Sequence, residues 1–171
     1  MENKLIALKV LLDQLGVPDS IDTIDDRKRV QKAVYLGQLS GVDLGYRFGW
    51  YVFGPYSPAL TKDYYSLAEA IASGDRSYVG KEFSAGVLRR LQSILPLMMP
   101  PESVPLAQED WLELLSSLHY LRRITRSSRE EAFEQLRKSK PHLFPYAQQA
   151  EQALTQGGQL SSGQSHECIS S

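Results

Sequence analysis

The side chains that could do chemistry in this sequence are few, and their spacing is poor for catalysis. His119, His142 and His166 stand apart, and none lies at helical spacing from a second His or a Cys, as a zinc site would require. Cys168, in the Gly-, Ser- and Gln-rich tail, has no preorganised base to raise its nucleophilicity. Asp25-Asp26 and Glu130-Glu131 are carboxylate pairs, but both fall at helix starts, where acidic side chains offset the positive end of the dipole. The glycines between Gly45 and Gly49 fit neither a P-loop nor a dinucleotide fingerprint. No enzymatic activity, catalytic residue, metal or cofactor is expected.

Two basic clusters and one aromatic segment remain as candidate surfaces. Arg27-Lys28-Arg29 with Lys32 puts positive charge at the start of a helix, against its dipole, so recognition of phosphates or of an acidic protein is the expected use. Arg122, Arg123, Arg126 and Arg129 fall at a helix end and the turn beyond, where cations are favourable without further purpose. Tyr46, Phe48, Trp50, Tyr51, Phe53, Tyr56, Tyr64 and Tyr65 gather around half of the aromatic side chains into one short stretch. A strand buries one side, so some of these rings are expected at the surface, where Tyr and Trp serve as interface anchors.

The elements that must position these groups are mostly helical. Leu5, Leu8, Leu12 and Leu15 mark a first helix ended by Gly16 and Pro18. A second starts after Asp25 or Asp26, carries Val30, Ala33, Val34 and Gly37 on one face, and closes at Gly41. Residues 46–53 read as a strand, with Phe48, Trp50 and Val52 on one side and Arg47, Tyr51 and Phe53 on the other, stopped by Gly54-Pro55. Ser57 caps a helix that Pro58 opens and that carries Leu60, Tyr64, Leu67 and Ile71. Ser77-Tyr78-Val79 is a candidate second strand, because a lone strand leaves its backbone unpaired. Phe83, Val87, Leu91 and Ile94 mark another helix, and the prolines from Pro96 to Pro105 read as a loop or linker. Trp111, Leu114, Leu115, Leu118 and Leu121 form the strongest helical stripe. Ser127 with Glu130 reads as a capping box for a helix bearing Phe133 and Leu136, and Pro145 can open a last one with Ala147, Ala150 and Leu154. Residues 156–171, rich in Gly, Ser and Gln, are expected to be disordered, leaving 1–155 as a single domain.

Composition bounds the class. A chain of 171 residues with 42% hydrophobic and 23% charged side chains can bury one core. A formal net charge of -1 provides no whole-molecule attraction to nucleic acid. One cysteine excludes an internal disulfide framework, and no apolar run approaches the roughly 20 residues of a membrane span. Met1-Glu2-Asn3-Lys4 leads into a segment broken by Lys9 and Asp13, unlike a signal peptide, so a cytoplasmic location without a membrane partner is expected.

Arg29-Val30-Gln31-Lys32-Ala33-Val34-Tyr35-Leu36, then Gly45-Tyr46-Arg47-Phe48, then Tyr51-Val52-Phe53-Gly54-Pro55-Tyr56-Ser57-Pro58-Ala59-Leu60 resembles the YwgA-type bacterial proteins. More distantly it is similar to the Panacea domain of SocA-type antitoxins. Trp111–Leu121 and Arg129–Pro141 extend the resemblance to the YwgA type, whereas Tyr56-Ser57-Pro58 departs from the Panacea pattern. The resemblance implies a compact, winged-helix-like helical domain with a small β element. It further implies a role in neutralising a toxin or in phage defence. The candidate partner-binding residues are Lys28, Arg29, Lys32, Tyr35, Tyr51, Phe53, Tyr56 and Ser57, with a protein as the expected partner and DNA, bound as a transcriptional regulator would bind it, as the alternative.

Overall fold

A computed structural model of the chain describes residues 1–161. Seven α-helices and a two-stranded sheet make up its regular structure, the mainly helical class with a small β element expected from the sequence. α1 (Asn3–Leu15) ends at Gly16, as its stripe predicts. α2 (Ile24–Leu39) is capped by Thr23, not by an aspartate: the Thr23 hydroxyl accepts from the Asp26 N–H and the Asp26 carboxylate accepts from the Thr23 N–H. α1 and α2 pack closely at Gly37, where a Cβ would lie 3.3 Å from Leu11 and Leu15.

Past α2 the single strand expected over 46–53 is instead a hairpin. β1 (Gly49–Tyr51) pairs antiparallel with β2 (Gly54–Tyr56), with Trp50 opposite Pro55. Gly54-Pro55 therefore lies inside the sheet, and Val52-Phe53 form the turn. The second strand predicted at 77–79 is a turn, because β2 already pairs β1. α3 (Pro58–Ala72) starts as predicted, with the Ser57 hydroxyl accepting from the Leu60 N–H and Pro58 in the first turn.

α4 (Ala85–Leu91) is shorter than its apolar pattern and is followed by a tight turn at Leu95–Leu97. The proline-rich stretch beyond is no linker. Leu97, Met98 and Val104 are buried, and the Trp111 indole donates to the Leu97 carbonyl at 3.0 Å. α5 (Gln108–His119) is the axis of the core, with every residue from Trp111 to His119 buried. α2 packs on one side of it and α7 on another, while α1 and α3 extend the core beyond α2.

α5 runs into a wider turn, Tyr120–Ile124, after which Arg126 takes a left-handed φ of 56°. The Ser127 N–H is tied to the Leu121 carbonyl, so the capping box forms one residue later than predicted, between Ser128 and Glu131, and opens α6 (Arg129–Ser139). A tight turn at Phe144–Tyr146 holds Pro145 before α7 (Ala147–Gln156). The expectation of disorder from residue 156 is corrected over its first part: the Gln159 and Leu160 N–H groups return to the Leu154 carbonyl and Leu160 is buried. Residues 162–171 lie outside the described residues.

Candidate functional site

α2 presents Lys28, Gln31, Lys32 and Tyr35 along one face, and α5 opposes them with Asp110, Glu113, Ser117 and His119. These positions determine the role of the basic cluster. Lys28 Nζ lies 2.7 Å from Asp110 Oδ1 and 3.0 Å from Glu113 Oε1. The other Glu113 oxygen lies 2.7 Å from Lys140 Nζ, delivered by the end of α6. Lys140 also donates to the Val52 carbonyl at 3.0 Å, and Lys32 donates to the Pro55 carbonyl. Lys140 thus ties the Val52 end of the hairpin turn to a buried glutamate, and Lys32 holds the other end at Pro55.

Lys28 and Lys32 are therefore committed to partners inside the protein. Lys32 is 1% exposed and Lys28 8%, and Arg29 is mostly covered, paired with Asp26 and, at 3.6 Å, with Glu109. The positive charge at the start of α2 is accounted for by its partners: Lys28 meets Asp110 and Glu113, Arg29 meets Asp26 and Glu109, and Lys32 meets the Pro55 carbonyl. Burial lowers the Lys32 pKa to about 7; Glu113 opposes that shift, and the charges of Lys140 and Lys28 add to it.

Two more candidates are structural in their contacts. Gln31 brackets Ser57, accepting from its N–H and donating to its carbonyl, each at 2.9 Å, so Ser57 is fully buried as the cap of α3. Tyr35 is buried between Phe48 and Tyr120, and its hydroxyl lies 2.7 Å from His119 Nδ1. Burial, with the positive Arg123 nearby, lowers the His119 pKa to about 4, so the neutral ring can accept the tyrosine proton.

The aromatic segment divides as expected between core and surface. Tyr46 is buried with its hydroxyl donating to Asp63 at 2.7 Å, and Trp50 stacks at a tilt on Tyr120. Tyr51, Val52 and Phe53 project into water at the hairpin tip, Val52 being 83% exposed. Val52 was expected beside Phe48 and Trp50; as a turn residue it leaves that alternation. Beside the tip lies an open pocket of about 350 Å³ between the hairpin, α2 and α3. Its walls include Ile24, Tyr51, Phe53, Tyr56 and Tyr65, and Arg27, Gln31 and Lys32 also line it. Tyr51 meets Tyr56 edge to face at 5.0 Å, and the Tyr56 hydroxyl accepts from Thr61.

Of the predicted set, Tyr51, Phe53 and Tyr56 line this pocket together with Lys28 and Lys32, whereas Arg29, Tyr35 and Ser57 do not. Arg27 and Tyr65, which belong to the candidate basic and aromatic surfaces but not to the predicted set, also line the pocket, and sequence reasoning missed Ile24 altogether; an isoleucine in the first turn of a helix, outside its apolar stripe, was the available signal. It also missed Glu113 and Lys140, for which nothing local in the sequence stands out. Among the described residues no cluster of His, Cys, Asp or Glu has the arrangement of a metal site, and no helix is long and apolar enough to cross a membrane. No protein-family model, curated protein or solved structure matches the chain.

Proposed function

We propose that this chain is a non-enzymatic binding domain, antitoxin-like or associated with phage defence, that docks on a protein partner through the hairpin tip. One observation carries the reading: Ile24, Tyr51, Val52, Phe53 and Tyr65, large apolar side chains left in water, converge on a single pocket. Exposed apolar residues scattered singly need no explanation, but a contiguous set around a concave site is how interfaces are built. The tip is held in place by buried lysines, so little ordering is needed when a partner arrives. The resemblance to YwgA-type and Panacea proteins supports the toxin-neutralising setting.

The reading is tested by photo-crosslinking from Val52 in the native cell, with the exposed Val79 as a remote control, followed by reconstitution with the purified captured protein. A discrete protein is expected from Val52 alone. In the reconstituted pair, Phe53→Ala should weaken binding by about 2 kcal/mol or more, as for an anchor residue. The melting temperature should hold, because the Phe53 ring lies at the surface. Equal capture from both positions, or a silent Phe53→Ala, rejects the reading.

A second reading, a DNA-binding regulator, is favoured by exposed Arg123 and Arg126 at the turn after α5, neither paired with a carboxylate among the described residues. It predicts affinity that falls steeply with salt and is reduced by Arg123→Gln and Arg126→Gln but not by Phe53→Ala.

A further inference from the structure

Resting on the docking reading above, we infer that the partner segment entering the hairpin pocket carries an acidic residue next to a bulky apolar one. The pocket lining holds Arg27, Lys28 and Lys32 and no aspartate or glutamate. Two of these cations are already committed, Lys28 to Asp110 and Glu113 and Lys32 to the Pro55 carbonyl. Arg27 is not. Its guanidinium donates from one nitrogen to the carbonyls of Ile21 at 2.9 Å and Asp22 at 3.4 Å and forms no ion pair with a carboxylate among the described residues.

A guanidinium presents a fork of donors matched to a carboxylate, so the remaining donors of Arg27 are the acid-binding feature of the pocket. The partly desolvated setting strengthens such a pair, since Arg27 stands half-buried beside aromatic walls. Tyr51, Phe53 and Tyr65 then supply faces for an apolar side chain adjoining the acid. The volume lies at the low end of ligand sites, which span about 300–1,000 Å³, and suits one or two side chains. Ile24 and Val52 line the pocket yet are 60% and 83% exposed, an apolar rim that a free small acid would leave uncovered and a peptide would cover.

The test is a selection of random short peptides displayed against the whole chain. Enrichment of Asp or Glu beside Phe, Leu, Trp or Tyr is expected. In synthetic copies of the selected peptides, changing the acid to its amide should weaken binding about tenfold. Arg27→Gln should give a similar loss on the parent peptide and little further loss on the amide peptide, the coupling expected of a direct pair. The amide peptides leave the protein untouched, so a folding defect in the Arg27 variant cannot mimic the result. Selected peptides without acidic preference, or amide copies that bind equally well, overturn this inference and leave the docking reading standing. Displacement of the peptides by phenylacetate at similar concentration also overturns it, reassigning the pocket to a free acid. Peptides indifferent to Val52→Asp and Phe53→Ala, or no selected peptides at all, overturn both.

Discussion

Glu113 is placed so that one oxygen meets Lys28 and the other Lys140, with Lys32 close enough to feel its charge. Buried ion clusters add little net stability as a whole, but removing the member that balances the others leaves uncompensated charge inside. Glu113→Gln is therefore expected to destabilise the fold by roughly 3–5 kcal/mol, measured by urea denaturation at neutral pH. His119 illustrates the same cost through its proton. Its folded pKa of about 4 lies below the ordinary 6.5, so between those values the unfolded chain binds a proton that the native chain excludes. Its stabilising contribution is complete above pH 6.5, falls as the pH drops towards 4, and is lost below that. His119→Gln should flatten that part of the stability profile relative to the parent, as read from denaturation midpoints across pH 4–7. Parallel profiles would show that His119 does not titrate this way.

At the scale of elements, the hairpin depends on one residue type at one position. Gly54 has a φ of +87°, and a Cβ there would lie 2.2 Å from Ser117 Oγ on α5. A side chain at Gly54 would meet both backbone strain and a collision with the central helix. Gly54→Ala is expected to cost at least the roughly 1–3 kcal/mol of a strained backbone residue. It should also loosen the tip, read as faster hydrogen exchange at the β1 and β2 amides than at those of α1. Unchanged exchange would mean that the strand pair forms without close contact to α5. The same contact clarifies why Gly54-Pro55 can sit within a strand: β2 has only one partner, so the missing proline N–H breaks no ladder on its other side.

Over the whole molecule, the core extends beyond the last helix. Leu160 covers apolar surface that α7 and its neighbours would otherwise expose. Truncation after Gln156 should cost about 1.5–3 kcal/mol, the worth of a fully buried leucine, measured by guanidinium denaturation. A silent truncation would show that Leu160 contributes no net burial. The distribution of charge also differs from what a net of -1 suggests, because Lys28, Lys32 and Lys140 lie inside and the cations that remain at the surface include Arg123 and Arg126.

What the sequence by itself determined was local. The stripes Leu5–Leu15 and Trp111–Leu118, the stop at Gly16, and the Ser57-Pro58 start stand where they were read, because periodicity and capping act within a few residues of the chain. The gathering of aromatics at 46–65 likewise indicated that some rings stay at the surface, since a short strand buries only one side, and Tyr51, Phe53 and Tyr65 do so. Only the tertiary structure decided the rest. β2 could not be read from Gly54-Pro55-Tyr56, since a proline and a glycine signal a stop unless an edge position accepts them. Lys28 and Lys32 read as surface residues because a lysine is buried only where carboxylates or carbonyls compensate it, and Glu113 lies 85 positions from Lys28. Leu160 read as tail because a single leucine among Gly and Ser gives no period, yet one leucine is enough where the neighbouring helices leave room for it. Burial of an isolated residue or a charge depends on partners distant in the chain, and only the folded arrangement brings them together.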